Sequence, residues 1–151
     1  MNGTGSWLCI VCIGFAAAVA CARTVSGRDN DRQVLDRLAR TSGCRTFGFR
    51  IGHGPGVSLS KKDQCTLASA AFDYLAANGA QAADLSAQDT AKIESASIHS
   101  FVFEDISGGP GESYWTVEFQ IVDRSYDIVV RIDRRTGSVS AGRGHKATHS
   151  R

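Results

Sequence analysis

Trp115-Thr-Val-Glu-Phe-Gln-Ile121 decides the fold. Trp115, Val117, Phe119 and Ile121 alternate with Thr116, Glu118 and Gln120, and a period of two makes a strand with one buried and one wet face. Towards the carboxy terminus, Asp123-Arg-Ser125 turns the chain, and Tyr126, Ile128, Val130 and Ile132 form the next apolar row against Asp127, Arg131 and Asp133. Arg134-Arg-Thr-Gly137 turns it again, because glycine takes positive φ without steric cost, into a short last strand at Val139. Towards the amino terminus, the loop Ser107-Gly-Gly-Pro-Gly-Glu112 joins the first strand to another spanning Ile93 to Ile106.

Upstream of Ile93 the period changes to that of a helix. Asp29, Asn30 and Asp31 offer caps for a helix through Val34, Leu35 and Leu38, which Gly43 terminates. Thr46-Phe-Gly-Phe-Arg-Ile51 then alternates like a strand, and Gly52-His-Gly-Pro-Gly56 breaks it with a loop. Ser60 caps a second helix with Leu67, Ala68, Ala71, Phe72 and Leu75 on one face, and Asn78-Gly79 stops it. After it, Ala80 to Lys92 has room for a turn or two of helix following Ser86. Helices followed by an antiparallel meander predict an α+β fold, with N-terminal helices packed on a C-terminal antiparallel β-meander.

Domain organisation follows from charge. Met1 to Ala22 carries no charged side chain and contains the apolar run Trp7 to Ala20, shorter than the roughly 20 residues that span a bilayer. It reads as an export leader, residues 1–22, before a polar linker at 23–28, one α+β domain at 29–142 and a disordered basic tail at 143–151. Three processing fates stand open. Ala18-Val-Ala-Cys21 is similar to a bacterial lipobox, which would leave Cys21 acylated and the protein tethered to membrane. Cleavage after Ala22 satisfies the small-x-small rule, and cleavage after Ala20 without lipid is the third fate. An uncleaved anchor is the remaining alternative. With Cys9, Cys12 and Cys21 in or at the leader, the mature body keeps Cys44 and Cys65, which an oxidising compartment would pair in a disulfide. Two free buried thiols are the alternative.

Tyr114-Trp-Thr-Val-Glu-Phe119, a hairpin, and then Ile128-Val-Val-Arg-Ile-Asp-Arg-Arg-Thr-Gly-Ser-Val139 resemble the carboxy-terminal half of PepSY-type and related cystatin-like modules. The resemblance covers about 30 of the 151 residues. It implies an exported or lipid-anchored cystatin-like module, inhibitory towards peptidases or protective against toxins, without catalytic residues of its own. Asp133, Thr136 and Gly137 match the motif and are expected to shape a turn. The amino half, with its two helices and Gly-Pro loop, departs from a minimal unit of that kind.

Function classes narrow by what the residues lack. A net charge of +2 from 17 basic and 15 acidic side chains, well mixed, predicts no nucleic-acid partner. Gly52-His-Gly54 lacks the third glycine of a dinucleotide fingerprint, and no phosphate loop or nucleophile elbow occurs, so no cofactor is expected. Cys44 or Cys65 with His53 or His99 would make a nucleophile and base only as a free thiol. His145 and His149 stand four apart in a glycine-rich tail that disfavours a helix, and no metal site is expected. Glu104, Asp105 and Glu112 flank a loop as paired acids, read as solvated strand ends. The loop itself, Gly108, Gly109, Pro110, Gly111 and Glu112, is the candidate partner-binding element, since glycine with one proline allows a tight projection from a sheet. The sequence thus predicts a non-enzymatic protein-binding module, periplasmic and lipid-anchored or secreted, acting as an inhibitor or immunity factor on an envelope or secreted enzyme. A structural envelope or secretion component and a small secreted hydrolase are the alternatives.

Overall fold

A computed structural model describes residues 27–54, 57–103 and 111–145. The leader and Cys21 lie outside the described residues, as do Gly108, Gly109 and Pro110 of the expected binding loop. The fold is α+β. Helix α1 (Gly27–Thr41) leads to strand β1 (Arg50–His53), helix α2 (Lys61–Ala83), the single turn α3 (Ala87–Thr90) and strands β2 (Ile93–Phe103), β3 (Glu112–Ile121), β4 (Tyr126–Asp133) and β5 (Val139–His145). The five strands form one sheet in chain order. β2 to β5 are an antiparallel meander, and β1 joins parallel to β2 with Ile51 opposite Ala96, which α2 permits by crossing between them.

The alternation read at β3 sets the core. Trp115, Val117, Phe119 and Ile121 are buried, and beside them lie Ala96 and Ile98 of β2 and Ile128, Val130 and Ile132 of β4. The two helices close this inner face: α1 contributes Val34, Leu35 and Leu38, and α2 contributes Leu67, Ala70, Ala71 and Leu75. Each large apolar side chain taken out of water here stabilises the fold by about 1.5–3 kcal/mol before entropy is counted.

Three clamps fix α1 and the turn after β4. Arg134 grips the Asp31 carboxylate of α1 with both Nε and Nη2, donates from Nη1 to Ser100 Oγ, and lies over the Trp115 ring. Arg37 donates to the Thr136 carbonyl at 3.0 Å. The turn itself is shaped by Asp133, whose Oδ1 accepts the N–H groups of Arg135 at 2.7 Å and Thr136 at 2.8 Å, while Gly137 takes φ +75° against Val34. Burial works to raise the Asp133 pKa, and those two backbone donors outweigh it, holding the carboxyl below its usual range.

Element boundaries differ from the sequence reading in four places. Helix α1 begins at Gly27, inside the expected linker, and places Asp29 in its first turn rather than before it. The strand expected over Thr46 to Ile51 is displaced to Arg50–His53. The chain leading into it is held to α2 instead: Cys44 is disulfide-bonded to Cys65, the Arg45 N–H donates to Ser69 Oγ at 3.0 Å, and the Arg45 guanidinium pairs with Asp73 over the rings of Phe47 and Phe72. Gly79 does not stop α2. It is buried mid-helix, where a Cβ would stand 3.3 Å from the Leu85 Cβ, so glycine lets Leu85 fold back over the helix. The true end is Asp84 in the left-handed region at φ 54°. Finally, β5 extends to His145 and pairs Arg143 with Ile128 and Gly144 with Asp127, so the first residues expected in the tail belong to the sheet.

The turn of helix expected after Ser86 is α3, which Ser86 caps in a capping box with Asp89. A side-chain hydrogen bond from Arg124, reinforced by Ser86, holds the Asp89 carboxyl far below the usual carboxylate range.

Candidate functional site

The face of the sheet opposite the helices is the candidate site. Because strand residues alternate, burying Ile98, Val117 and Val130 inward turns Ser97, His99, Phe101, Thr116, Glu118, Val129 and Arg131 to the other side. Cross-strand register sets these in rows: Ser97 opposite Glu118 opposite Val129, His99 opposite Thr116 opposite Arg131, and Phe101 opposite Tyr114. A groove of about 310 Å³ runs between Phe101, Tyr114, Thr116, Glu118, Val129 and Arg131. Phe101 is 46% exposed, the most open large apolar side chain among the described residues. A neighbouring depression of about 290 Å³ is floored by Gly142 and Gly144 of β5.

His99 is the most constrained group on this face. Its Nε2 lies 2.7 Å from Ser97 Oγ and 3.6 Å from Glu118 Oε2, and its ring packs 6.1 Å from that of Phe101. The other nitrogen, Nδ1, lies against Gly54, where a Cβ would come within 2.0 Å of it. Serine, histidine and glutamate together suggest a hydrolytic triad, but a relay needs the hydroxyl and the carboxylate on opposite ring nitrogens. Here both address Nε2. The arrangement therefore orients the imidazole on the sheet surface and does not build a nucleophile.

The residues singled out in the sequence are spread over the molecule. Cys44 and Cys65 are joined in a disulfide on the helical side, with Cα atoms 5.1 Å apart, so neither offers a thiolate to His53 or His99. His53 stands exposed in β1, and His145 closes β5. Of the expected binding loop, Gly111 is exposed and Glu112 opens β3 opposite Phe103, which places the loop's anchor at the Phe101–Tyr114 end of the groove. Glu104, Asp105 and His149 lie outside the described residues. Among the described residues no group of three histidine, cysteine or acidic side chains is disposed to hold a metal ion, and no helix is long and apolar enough to cross a membrane.

The sequence reading passed over the outer face as merely wet. The signal it held was the chemistry of the outward positions, aromatic and charged side by side at 99, 101, 114, 118 and 131, which a simple solvated face does not need. No family model, no curated protein and no solved structure matches this chain.

Proposed function

We propose that this chain is an exported, lipid-anchored protein-binding module that acts as an inhibitor or immunity factor on an envelope or secreted enzyme. The observation that carries the reading is Phe101. A phenylalanine half open to water beside Tyr114, with Glu118 and Arg131 within the same groove, has the make-up of an interface centre, where aromatic and arginine side chains anchor and a polar rim orients. The Cys44–Cys65 disulfide supports an oxidising compartment, and the uncharged leader over residues 1–22 supports the route there. The chain from Gly108 to Glu112 connects β2 to β3, whose paired ends Phe103 and Glu112 lie at the Phe101–Tyr114 end of the groove.

The test is capture from an envelope extract with the wild-type protein and a Phe101→Asp variant. Wild type is expected to retain an enzyme and inhibit it at a one-to-one ratio, and the variant to lose at least tenfold in affinity. Capture of outer-membrane or secretion-apparatus subunits alone, equally by both proteins, would sink the reading. The intact mass of the mature protein tests the anchor: a diacyl or triacyl mass on Cys21 is expected, and a chain beginning at Arg23 would make the protein soluble.

A further inference from the structure

We infer that the free edge of β1 is a second docking surface, which takes an extended, acidic segment of a partner protein as an added sheet strand; this rests on the protein-binding reading above. Among the described residues β1 is the outermost strand on its side of the sheet and pairs with β2 alone. The Gly54 N–H donates to the Ile98 carbonyl at 2.8 Å, so Gly54 and, by alternation, Gly52 face the sheet. Ile51 and His53 therefore turn their N–H and C=O groups outward. An edge of this kind is a template for another strand.

A groove accompanies the edge. About 760 Å³ lies between β1, the segment Val57 to Ser60 and the first turns of α2, and its apolar floor is Ile51, Val57 and Leu59. That volume falls within the roughly 300–1,000 Å³ of clefts that hold ligands. A strand laid along Ile51 and His53 would place every second side chain over this floor, and the side chains between them in solvent.

Charge selects the occupant. Arg50 stands exposed on the strand, Lys61 lines the groove, and among the described residues no acidic side chain lines it. Asp63, two residues beyond Lys61, accepts from Ser60 Oγ at 2.6 Å and lies 3.9 Å from the Arg32 guanidinium. A second copy of this chain would bring the Arg50 side chains of two edges together, which disfavours edge-to-edge pairing of identical molecules. An acidic segment with alternating apolar residues meets cations at the rim and the apolar floor beneath.

The probe is an acetylated, amidated heptapeptide that alternates glutamate with valine, compared with its lysine–valine counterpart by titration calorimetry. Binding of the glutamate peptide alone is expected, with slowed amide exchange at Ile51 and His53. His53→Pro deletes an outward donor and no ladder bond, as proline at a solvent-facing edge position does, and should weaken binding about tenfold. His53→Ala keeps the donor and should weaken it by less. Equal binding of both peptides, unchanged binding to His53→Pro, or a dimer in sedimentation that the peptide does not dissociate would each overturn the inference. Should His53→Pro not fold, unaltered exchange at Ile51 and His53 in the wild-type chain under saturating peptide decides against it. These failures leave the Phe101→Asp capture result unaffected, so the edge and the open face are judged separately.

Discussion

Replacing both Cys44 and Cys65 by serine removes the one covalent tie between the segment before β1 and helix α2. The two residues are separated by 21 positions. On the chain-entropy account, a closed loop of that size lowers the entropy of the unfolded chain enough to stabilise the folded state by about 3 kcal/mol at 25 °C. Packing changes little, because Cys44 is exposed and Cys65 half-buried, so serine leaves no sealed cavity. The remaining contacts of the segment do not replace the bridge: the Arg45–Asp73 pair has side chains 45% and 43% exposed, and such a pair contributes at most about 1 kcal/mol. The assay is urea unfolding of the mature protein followed by the fluorescence of Trp115, fully enclosed in the core. The double variant and reduced wild type should coincide, about 3 kcal/mol below oxidised wild type and roughly 10 °C lower in Tm. The oxidised chain should also show the smaller m-value, since its unfolded state is more compact. A difference under about 1 kcal/mol, or a variant differing from reduced wild type, would refute loop entropy as the cause.

Other perturbations test separate parts of the molecule. The Asp89 carboxyl is held below its unfolded pKa by Arg124 and Ser86, so its contribution is present above about pH 4 and lost as pH falls through the folded value; Asp89→Asn should be less stable at neutral pH and flatten the acid limb of a Tm-against-pH curve. Asp127 is fully buried, and neither carboxylate oxygen has a hydrogen-bond partner among the described residues; Asp127→Asn should raise stability by about 1 kcal/mol in chemical denaturation, and a loss would show that the charge is paired. Gly54→Ala drives a methyl onto His99 Nδ1, which should break the 2.7 Å contact with Ser97 and move the His99 ring resonances by NMR. Arg134→Lys loses the forked grip on Asp31 and should cost about 1–2 kcal/mol, measured by urea midpoint, where an exposed pair would cost almost nothing.

The β-meander was legible because its physics is local. Trp115 to Ile121 and Tyr126 to Ile132 alternate apolar and polar residues, water lies on one side, and only one register buries the apolar rows together. The turn at Asp133 to Gly137 was legible for the same reason: an aspartate and a glycine at fixed spacing satisfy the backbone without help from elsewhere. Single residues misled where a distant partner decided their role. Gly79 carries the mark of a helix stop, yet it is the space into which Leu85 packs. Val139 opens a long strand, because the edge of β4 offered a ladder all the way to Tyr126.

The candidate site was less legible than the fold. Glu118 and Arg131 appeared in the sequence as the outward half of an alternation, whereas Ser97, His99, Phe101 and Tyr114 lay in or beside strands with no facing assigned. Sequence by itself determined the fold class, the facing of β3 and β4 and the identity of the two cysteines left to pair. Tertiary structure alone decided that Cys44 and Cys65 are within bonding distance, that β1 lies parallel at the edge of the described sheet, and that three strands bring one histidine, two aromatics and opposite charges onto one outer face. The reason is that alternation is a property of neighbours along the chain, whereas a binding surface is made by neighbours across it, fixed only when the core has chosen the register.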